Sequence, residues 1–252
     1  MPEHYALDEF RERRWDYRPG HHVAAFGPTQ IAGKSTLMFS LLDRARRSYP
    51  EIRPVVLVMK HSDRVVAAWT RRLDFQETPL WPPRRQLRRG LERPPGYTVW
   101  PAQSLIDEDA DNAHLERQFR AAIAGCRLHR PSITFADEIY GLIAELGMRR
   151  LLTAVVTRDS GAGHGLWYAT QKPSGTQGIS IPGFFFNSAE HMFLSKDGEE
   201  RNRQRYGEIG CGIDPQAIER ETLKLQPYSW LYIRRSGPQW AVIDAYDPSL
   251  AV

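Results

Sequence analysis

The chain has 252 residues, of which 41% are hydrophobic and 25% charged, the values of an ordinary globular protein. They exclude wholesale disorder, a collagen-like repeat and a small disulfide scaffold. The 34 basic residues exceed the 30 acidic ones by a net charge of +4, which does not by itself indicate nucleic-acid binding. Of the basic residues, 29 are Arg and five are Lys. Either phosphate contacts or GC-rich coding explains that excess.

The sequence contains few features that indicate a cellular compartment. The two cysteines, Cys126 and Cys211, lie far apart and lack CxxC spacing, which predicts a reducing compartment and no zinc site. The charged N-terminus is unlike a signal peptide, and no apolar run approaches the roughly 20 residues that span a bilayer. We therefore expect a cytoplasmic protein with no direct membrane insertion.

The first third of the chain predicts strands that alternate with helices. Residues 1–20 are polar with scattered aromatics, and they predict an arm or a short helix. The apolar run His22–Phe26 leads through a loop into an amphipathic helix that Pro50 ends. Continuous β-branched residues at Pro54–Met59 are typical of a strand buried on both faces of a parallel sheet, and His61-Ser62-Asp63 caps the helix that follows.

The middle of the chain interrupts this alternation. Residues 74–96 hold five prolines and five arginines and predict a basic excursion from the core. A strand at Tyr97–Trp100, a helix at about 112–128 and a buried strand at Ser132–Ala136 follow.

The remaining elements complete an α/β domain. A helical region to about Thr157 precedes strands at Gly165–Thr170 and Glu190–Ser195, a helix at 197–207 and a hairpin at 229–244. Strands alternating with helices predict a mainly parallel sheet flanked by helices, with the antiparallel hairpin at its edge. The predicted domains are an arm at 1–20 and one domain at 21–252.

The strongest motif is Gly33-Lys34-Ser35-Thr36, between a short strand and an amphipathic helix, which is the context of a P-loop. Its backbone N–H groups would cradle the phosphates of ATP at a helix N-terminus, where partial positive charge favours anions. Lys34 would neutralise phosphate charge and Ser35 would ligate Mg²⁺. The predicted nucleotide-binding residues are Gly27, Pro28, Thr29, Gln30, Ile31, Ala32, Gly33, Lys34, Ser35 and Thr36.

The loop departs from the usual spacing in one respect. A P-loop places Gly six positions before the Lys, and that position here is Pro28, with Gly27 one residue earlier. The spacing predicts either a loop that is one residue longer or a first turn that is built differently.

Two further motifs follow later strands. Asp137 and Glu138 come directly after Ser132–Ala136, where Asp137 would support Mg²⁺ and Glu138 would activate the attacking water. The same pair also fits a helix N-cap. Gln171 ends the strand Gly165–Thr170 and would contact the γ-phosphate or the water, unless it is an ordinary polar strand end.

The segments GPTQIAGKST, SITFADE and LWYATQKPSG, in this order over roughly residues 20–210, resemble the HerA/FtsK superfamily of P-loop ATPases. The resemblance implies a RecA-like P-loop NTPase core, Gln171 as the polar sensor, and a homo-oligomeric ring, commonly a hexamer, that moves double-stranded DNA. In size the chain is similar to the packaging ATPases of tailless, membrane-containing phages. That similarity implies capsid or portal-vertex partners and a place in the host cytoplasm or at the virion vertex.

A ring would require arginines that act between subunits or on DNA. Arg158 best matches the position of a finger that completes a neighbour's site, with Arg149 and Arg150 as alternatives. The 84–93 run and the group Arg201, Arg203 and Arg205 are candidates for the DNA backbone. A solvated surface is the alternative for each of these arginines, and a contact with another subunit is a further alternative for the two basic groups.

The sequence therefore predicts an Mg²⁺-ATP-dependent double-stranded DNA translocase, in particular a viral genome-packaging motor. A cellular or plasmid DNA pump of the same superfamily is the near alternative. A nucleotide-dependent morphogenesis or secretion switch that moves no DNA is the alternative from another class.

Overall fold

The computed structural model describes residues 2–28, 32–83, 93–171, 173–175, 180–237 and 239–245. Within these residues, ten strands form one sheet in the order β1-β10-β9-β8-β2-β7-β6-β3-β5-β4. The strands are β1 (Glu3–Ala6), β2 (Val23–Phe26), β3 (Arg53–Leu57), β4 (Gln76–Thr78), β5 (Tyr97–Val99), β6 (Ser132–Ala136), β7 (His164–Thr170), β8 (His191–Ser195), β9 (Ser229–Arg234) and β10 (Gln239–Asp244).

Helices connect most of these strands. Within the described residues they are α1 (Leu7–Arg13), α2 (Lys34–Ser48), α3 (Arg64–Arg72), α4 (Glu108–Leu128), α5 (Ile139–Ala144), α6 (Arg149–Arg158), α7 (Gly183–Ser188), α8 (Glu200–Gln204) and α9 (Pro215–Lys224). Two short 3₁₀ turns lie at Ser160–Ala162 and Arg205–Ile209. In the part of the chain that the structure describes, no helix is both long and apolar enough to cross a bilayer.

Pairing is parallel from β4 through β5, β3, β6, β7 and β2 to β8, and antiparallel from β8 to β9 and from β9 to β10. This arrangement confirms the predicted α/β fold with a mainly parallel sheet. The predicted hairpin at 229–244 is also present, but it is not the sheet's edge, because β1 pairs in parallel with β10 beyond it.

The sheet is covered on both faces, and alternate strand residues point to opposite sides. Leu166 and Tyr168 of β7 join the hydrophobic cluster that contains residues of α4, α5, α6 and α7. Trp167 and Ala169 join the cluster that contains residues of α1, α2 and α3. Burial of the central strands on both faces explains their continuous apolar sequences.

Two segments differ from the predictions. The arm or short helix expected at 1–20 provides α1 and also the edge strand β1, and Phe10 of α1 is fully buried in the core. Of the excursion expected at 74–96, Gln76–Thr78 instead pairs with β5 as the sheet's other edge. Isolated edge strands of three or four residues carry too little apolar alternation for a pattern to reveal them.

Two buried histidines stand near the amino ends of β2 and β7. The Nδ1 atom of His22 accepts a hydrogen bond of 2.9 Å from Leu166 N, and its Nε2 lies 3.0 Å from Val156 O. His164 lies 2.9 Å from Thr134 Oγ1 and 3.3 Å from Asp159. Burial lowers the pKa of each imidazole to about 4, so both are neutral in the folded protein.

This geometry predicts that the fold loses stability as pH falls from 7.5 to 5.5. The unfolded histidines bind protons near pH 6.5 and the folded ones do not, so protonation favours the unfolded state by about 1 kcal/mol for each histidine at pH 5.5. Urea unfolding at the two pH values measures the change. The His22→Gln variant should show a shallower fall, and equal or greater stability of the wild type at pH 5.5 would contradict the account.

Candidate functional site

Five parallel strands end side by side at one edge of the sheet, in the order β8, β2, β7, β6, β3. The glycine-containing loop follows β2, the Asp-Glu pair follows β6, and Gln171 follows β7. A cleft of about 880 Å³ opens along this edge, and residues 33–36, Asp137, Glu138 and Gln171 line it. The topology thus collects the three predicted motifs in one place.

The end of the loop leads into the N-terminus of α2. Gly33 has φ +66°, in the left-handed region that favours glycine, and the helix begins at Lys34. No side chain among the described residues caps this helix, as an anion-binding N-terminus requires. The Nζ atom of Lys34 donates to the carbonyl oxygens of Gly27 and Pro28, both at 2.9 Å. The lysine therefore joins the end of the loop to its beginning.

Close packing explains the glycine at position 27. Its N–H donates to Thr170 O at 3.1 Å, and a Cβ there would lie 2.1 Å from the Ser195 hydroxyl of β8. A side chain at position 27 would therefore force Ser195 to move, and proline follows Gly27 where the chain leaves the strand. The predicted contacts of Thr29, Gln30 and Ile31 lie outside the described residues.

The predicted metal ligands touch each other. The hydroxyl of Ser35, on the first turn of α2, donates to Asp137 Oδ1 at 2.8 Å. Asp137 is 8% exposed, and its carboxylate is one of the hard oxygen ligands that Mg²⁺ prefers. These donors fit the predicted cation.

The Glu138 side chain ties β6 to β7. Its Oε1 accepts a hydrogen bond of 2.6 Å from the Thr170 hydroxyl and one of 3.2 Å from Tyr140 N. The second bond makes Glu138 the N-cap of α5, so the capping role considered from sequence is real. The first places the carboxylate beside the strand end that carries Gln171.

Burial dominates the electrostatics of the cleft. It raises the pKa of both Asp137 and Glu138 above the ordinary range of carboxyl groups. It also lowers the pKa of Lys34, against the opposing effect of the two carboxylates. Burial therefore makes each of these three charges unfavourable when it stands alone. The two carboxylates would stabilise an added divalent cation, and Lys34 would stabilise an anionic phosphate.

Two contributors to the site were missed from the sequence. The Nζ atom of Lys60, which follows β3, lies 2.7 Å from Asp63 and 3.8 Å from Asp137 Oδ2. Thr170 holds Glu138 as described above. The rule that identified Asp137 also applies to Lys60, since β3 neighbours β6, but the sequence does not reveal that adjacency.

The structure does not bring Arg158 to the site of its own chain. Arg158 is exposed and ends α6, just before the start of β7, whereas the cleft lies where β7 ends. Arg149 and Arg150 are exposed at the opposite end of that helix. A role for any of these arginines in a neighbouring subunit's site stays a prediction.

The proposed DNA-binding arginines need one correction. Arg203 donates to Glu219 at 2.8 Å, and Arg205 pairs with Glu208, so both guanidinium groups are used inside the subunit. Arg201 is exposed on the same helix. The 84–93 run, except Arg93, lies outside the described residues.

No known sequence-family profile and no curated protein matches the chain. The DNA-packaging ATPase B204 of Sulfolobus turreted icosahedral virus matches with a TM-score of 0.60 and 13% identity, over 92% of this chain and all of B204. The genome-packaging NTPase B204 of Sulfolobus turreted icosahedral virus 2, in complex with sulfate, matches with a TM-score of 0.59 and 12% identity, over 91% of this chain and 98% of that one.

The cytoplasmic domain of the type VII secretion ATPase EccC of Thermomonospora curvata matches with a TM-score of 0.52 and 16% identity, over 92% of this chain and 26% of that one. All three matches are at 16% identity or less, and they show that the chain shares the fold of these proteins. This result confirms the fold that the sequence resemblance implies.

The contact between Ser35 and Asp137 predicts a measurable effect of Mg²⁺ on nucleotide binding. The wild type should bind ATPγS at least about tenfold more tightly with Mg²⁺ than with EDTA, because the cation would offset the negative charge of the buried carboxylate and of the phosphates. Asp137→Asn should lose that difference in calorimetric titration. Glu145 also lines the cleft, and the Glu145→Gln variant should keep the difference in affinity between Mg²⁺ and EDTA. An Asp137→Asn protein with the full Mg²⁺ effect would contradict the assignment.

Proposed function

We propose that this edge of the sheet binds and hydrolyses ATP. The observation that carries the proposal is the hydrogen bond from Ser35 of the phosphate loop to Asp137 at the end of β6. It joins the phosphate-binding helix to the acidic strand end, and Lys34, Glu138 and Gln171 line the same cleft. The likeness in fold to B204, which has been solved with ATPγS and AMPPCP, supports the proposal.

Each residue then has a role that follows from its chemistry. The N–H groups of residues 33–36 bind phosphate oxygens, and Lys34 exchanges its loop carbonyls for the β- and γ-phosphates. Ser35 and Asp137 hold Mg²⁺, which when bound offsets the charge on the phosphate oxygens. Gln171 contacts the γ-phosphate from the end of β7.

Glu138 is the general base of the proposed reaction. Its Oε1 accepts hydrogen bonds from Thr170 and Tyr140, and we assign Oε2 to the attacking water. The carboxylate takes a proton from the water, whose oxygen bonds to the γ-phosphorus as the bond to the β–γ bridging oxygen breaks. ADP and phosphate leave. Burial strengthens the carboxylate as a base because it raises the pKa of Glu138.

We propose further that hydrolysis drives movement of double-stranded DNA in a ring of subunits, most simply a viral genome-packaging motor. The match with the DNA-packaging ATPase B204 extends over the whole of that chain, which supports this assignment. Repetition of subunits around a ring concentrates even a net charge of +4 along a pore. Contacts with the phosphate backbone would carry no sequence preference, and a capsid or portal vertex is the expected docking partner.

The likeness to the type VII secretion ATPase EccC supports the second candidate, a secretion or morphogenesis ATPase that moves no DNA. A DNA pump of a cell or plasmid is a variant of the first candidate. Only the response to DNA separates the two classes.

The motor predicts that double-stranded DNA of random sequence raises the ATPase rate by about tenfold or more at 50 mM salt. It also predicts that the stimulation declines steeply towards 200 mM, because backbone binding releases counterions. Phosphate release measures the rate. Lys34→Ala, which should abolish hydrolysis with and without DNA, controls for contaminating ATPases. A wild type that hydrolyses ATP at one rate regardless of DNA and salt would favour the secretion switch.

The ring predicts complementation between two inactive variants. Arg158→Ala keeps the phosphate loop, and Lys34→Ala keeps the arginine, so sites formed between the two kinds of subunit contain both groups. An equimolar mixture should then recover about a quarter of the wild-type rate if Arg158 acts on the neighbour's phosphates. A mixture as inactive as its components would remove Arg158 from the site, and the same test then applies to Arg149 and Arg150.

A further inference from the structure

The chain after Gln171 is held by a buried asparagine from another part of the fold. Asn202, 2% exposed in α8, accepts hydrogen bonds from the backbone N–H of Ser174 at 3.1 Å and from its hydroxyl. The Nδ2 atom of Asn202 donates to Asp197 Oδ2 at 2.8 Å. Both ends of the amide are therefore engaged, which fixes its orientation.

An arginine on the following turn holds the same region from a second side. The guanidinium of Arg205 donates to the carbonyl oxygens of Pro173 at 2.8 Å and Ile181 at 2.6 Å. It stacks 4.7 Å from the ring centroid of Phe186 and pairs with Glu208. One side chain thus holds the segment after Gln171 at two points, eight residues apart in sequence.

The two sets of contacts connect both sides of the phosphate loop. Asp197 follows β8, which lies on one side of β2, and Ser174 follows β7, which lies on the other. The carboxylate of Asp197, which is 5% exposed, also acts to raise the pKa of Lys34 through its negative charge. We call the three side chains of Asp197, Asn202 and Arg205 the sensor clasp.

We propose that the sensor clasp positions Gln171 against the γ-phosphate, with Asn202 and Arg205 as positioning residues. The inference rests on the proposed ATPase function and adds to it a device for recognising the third phosphate. A single residue separates Gln171 from Pro173, so two peptide steps of about 3.8 Å limit how far Gln171 moves while the clasp is closed. Buried, fully paired polar groups rigidify their surroundings, which suits this task.

A double-mutant cycle tests whether Asn202 acts through Gln171. The wild type, Asn202→Ala, Gln171→Ala and the double variant are compared for kcat, KM and affinity for ATPγS and ADP. Each single change should lower kcat and the preference for ATPγS over ADP by about tenfold and leave ADP affinity within about twofold. The double variant should be no worse than Gln171→Ala alone, because the two residues belong to one unit.

Controls separate positioning from folding. Gln204→Ala, on the exposed side of the same helix, should match the wild type throughout. Ser174→Ala removes one hydroxyl bond and leaves the backbone bond to Asn202, so it serves in the same cycle if Asn202→Ala does not fold. Arg205→Lys should reproduce the loss of preference in weaker form.

Two results would overturn the inference. One is a double variant whose losses are the product of the single losses, and the other is an equal loss of affinity for ATPγS and ADP. Either would leave the clasp with a structural role only. Both results presuppose a wild type that binds and hydrolyses ATP, so the failure of the ATPase proposal itself would be seen separately in the wild-type measurements.

Discussion

Parallel pairing of β2, β7 and β6 is the constraint on which the site depends. Because adjacent parallel strands end at the same edge, residues far apart in sequence meet there without any dedicated contact between their loops. The Ser35 hydroxyl, after β2, reaches Asp137, after β6, although β7 lies between those two strands. The Thr170 hydroxyl of β7 reaches Glu138, which follows the neighbouring strand β6. The covered faces of the sheet keep those strands buried and their register fixed, so the geometry of the edge follows from the core.

Local patterns were sufficient to predict the central strands, α2 and the hairpin. Buried parallel strands have continuous apolar sequences, and the residues that directly follow them carry the phosphate loop, the acidic pair and Gln171. The edge strands escaped prediction because Glu3–Ala6 and Gln76–Thr78 are short and mostly polar, and tertiary pairing alone defines them. The order of the strands could not be predicted from the sequence either. The position of Lys60 beside Asp137 depends on that order, so it was not predicted.

The arginines at 201–205 also show what sequence-based prediction cannot reveal. A cluster of arginines at 201–205 predicts a basic surface. In the structure, however, Arg203 and Arg205 form ion pairs and hydrogen bonds with Glu219, Glu208 and backbone carbonyl oxygens. The sequence gives the number of charges but not their partners, and a guanidinium group donates hydrogen bonds to carboxylates and carbonyl oxygens as well as to phosphates. The contacts of Arg205 link the turn after α8 to Pro173 and Ile181, and Arg201 stays a candidate for the DNA backbone.

The most direct test is a crystal structure with Mg²⁺ and the non-hydrolysable analogue AMPPCP. The account predicts that the β- and γ-phosphates lie at residues 33–36 and that the Lys34 ammonium has left the carbonyls of Gly27 and Pro28 for them. It also predicts Mg²⁺ at Ser35 on the side of Asp137, with Gln171 at the γ-phosphate. An analogue bound elsewhere, or a Lys34 still bound to its own loop beside an occupied cleft, would contradict it.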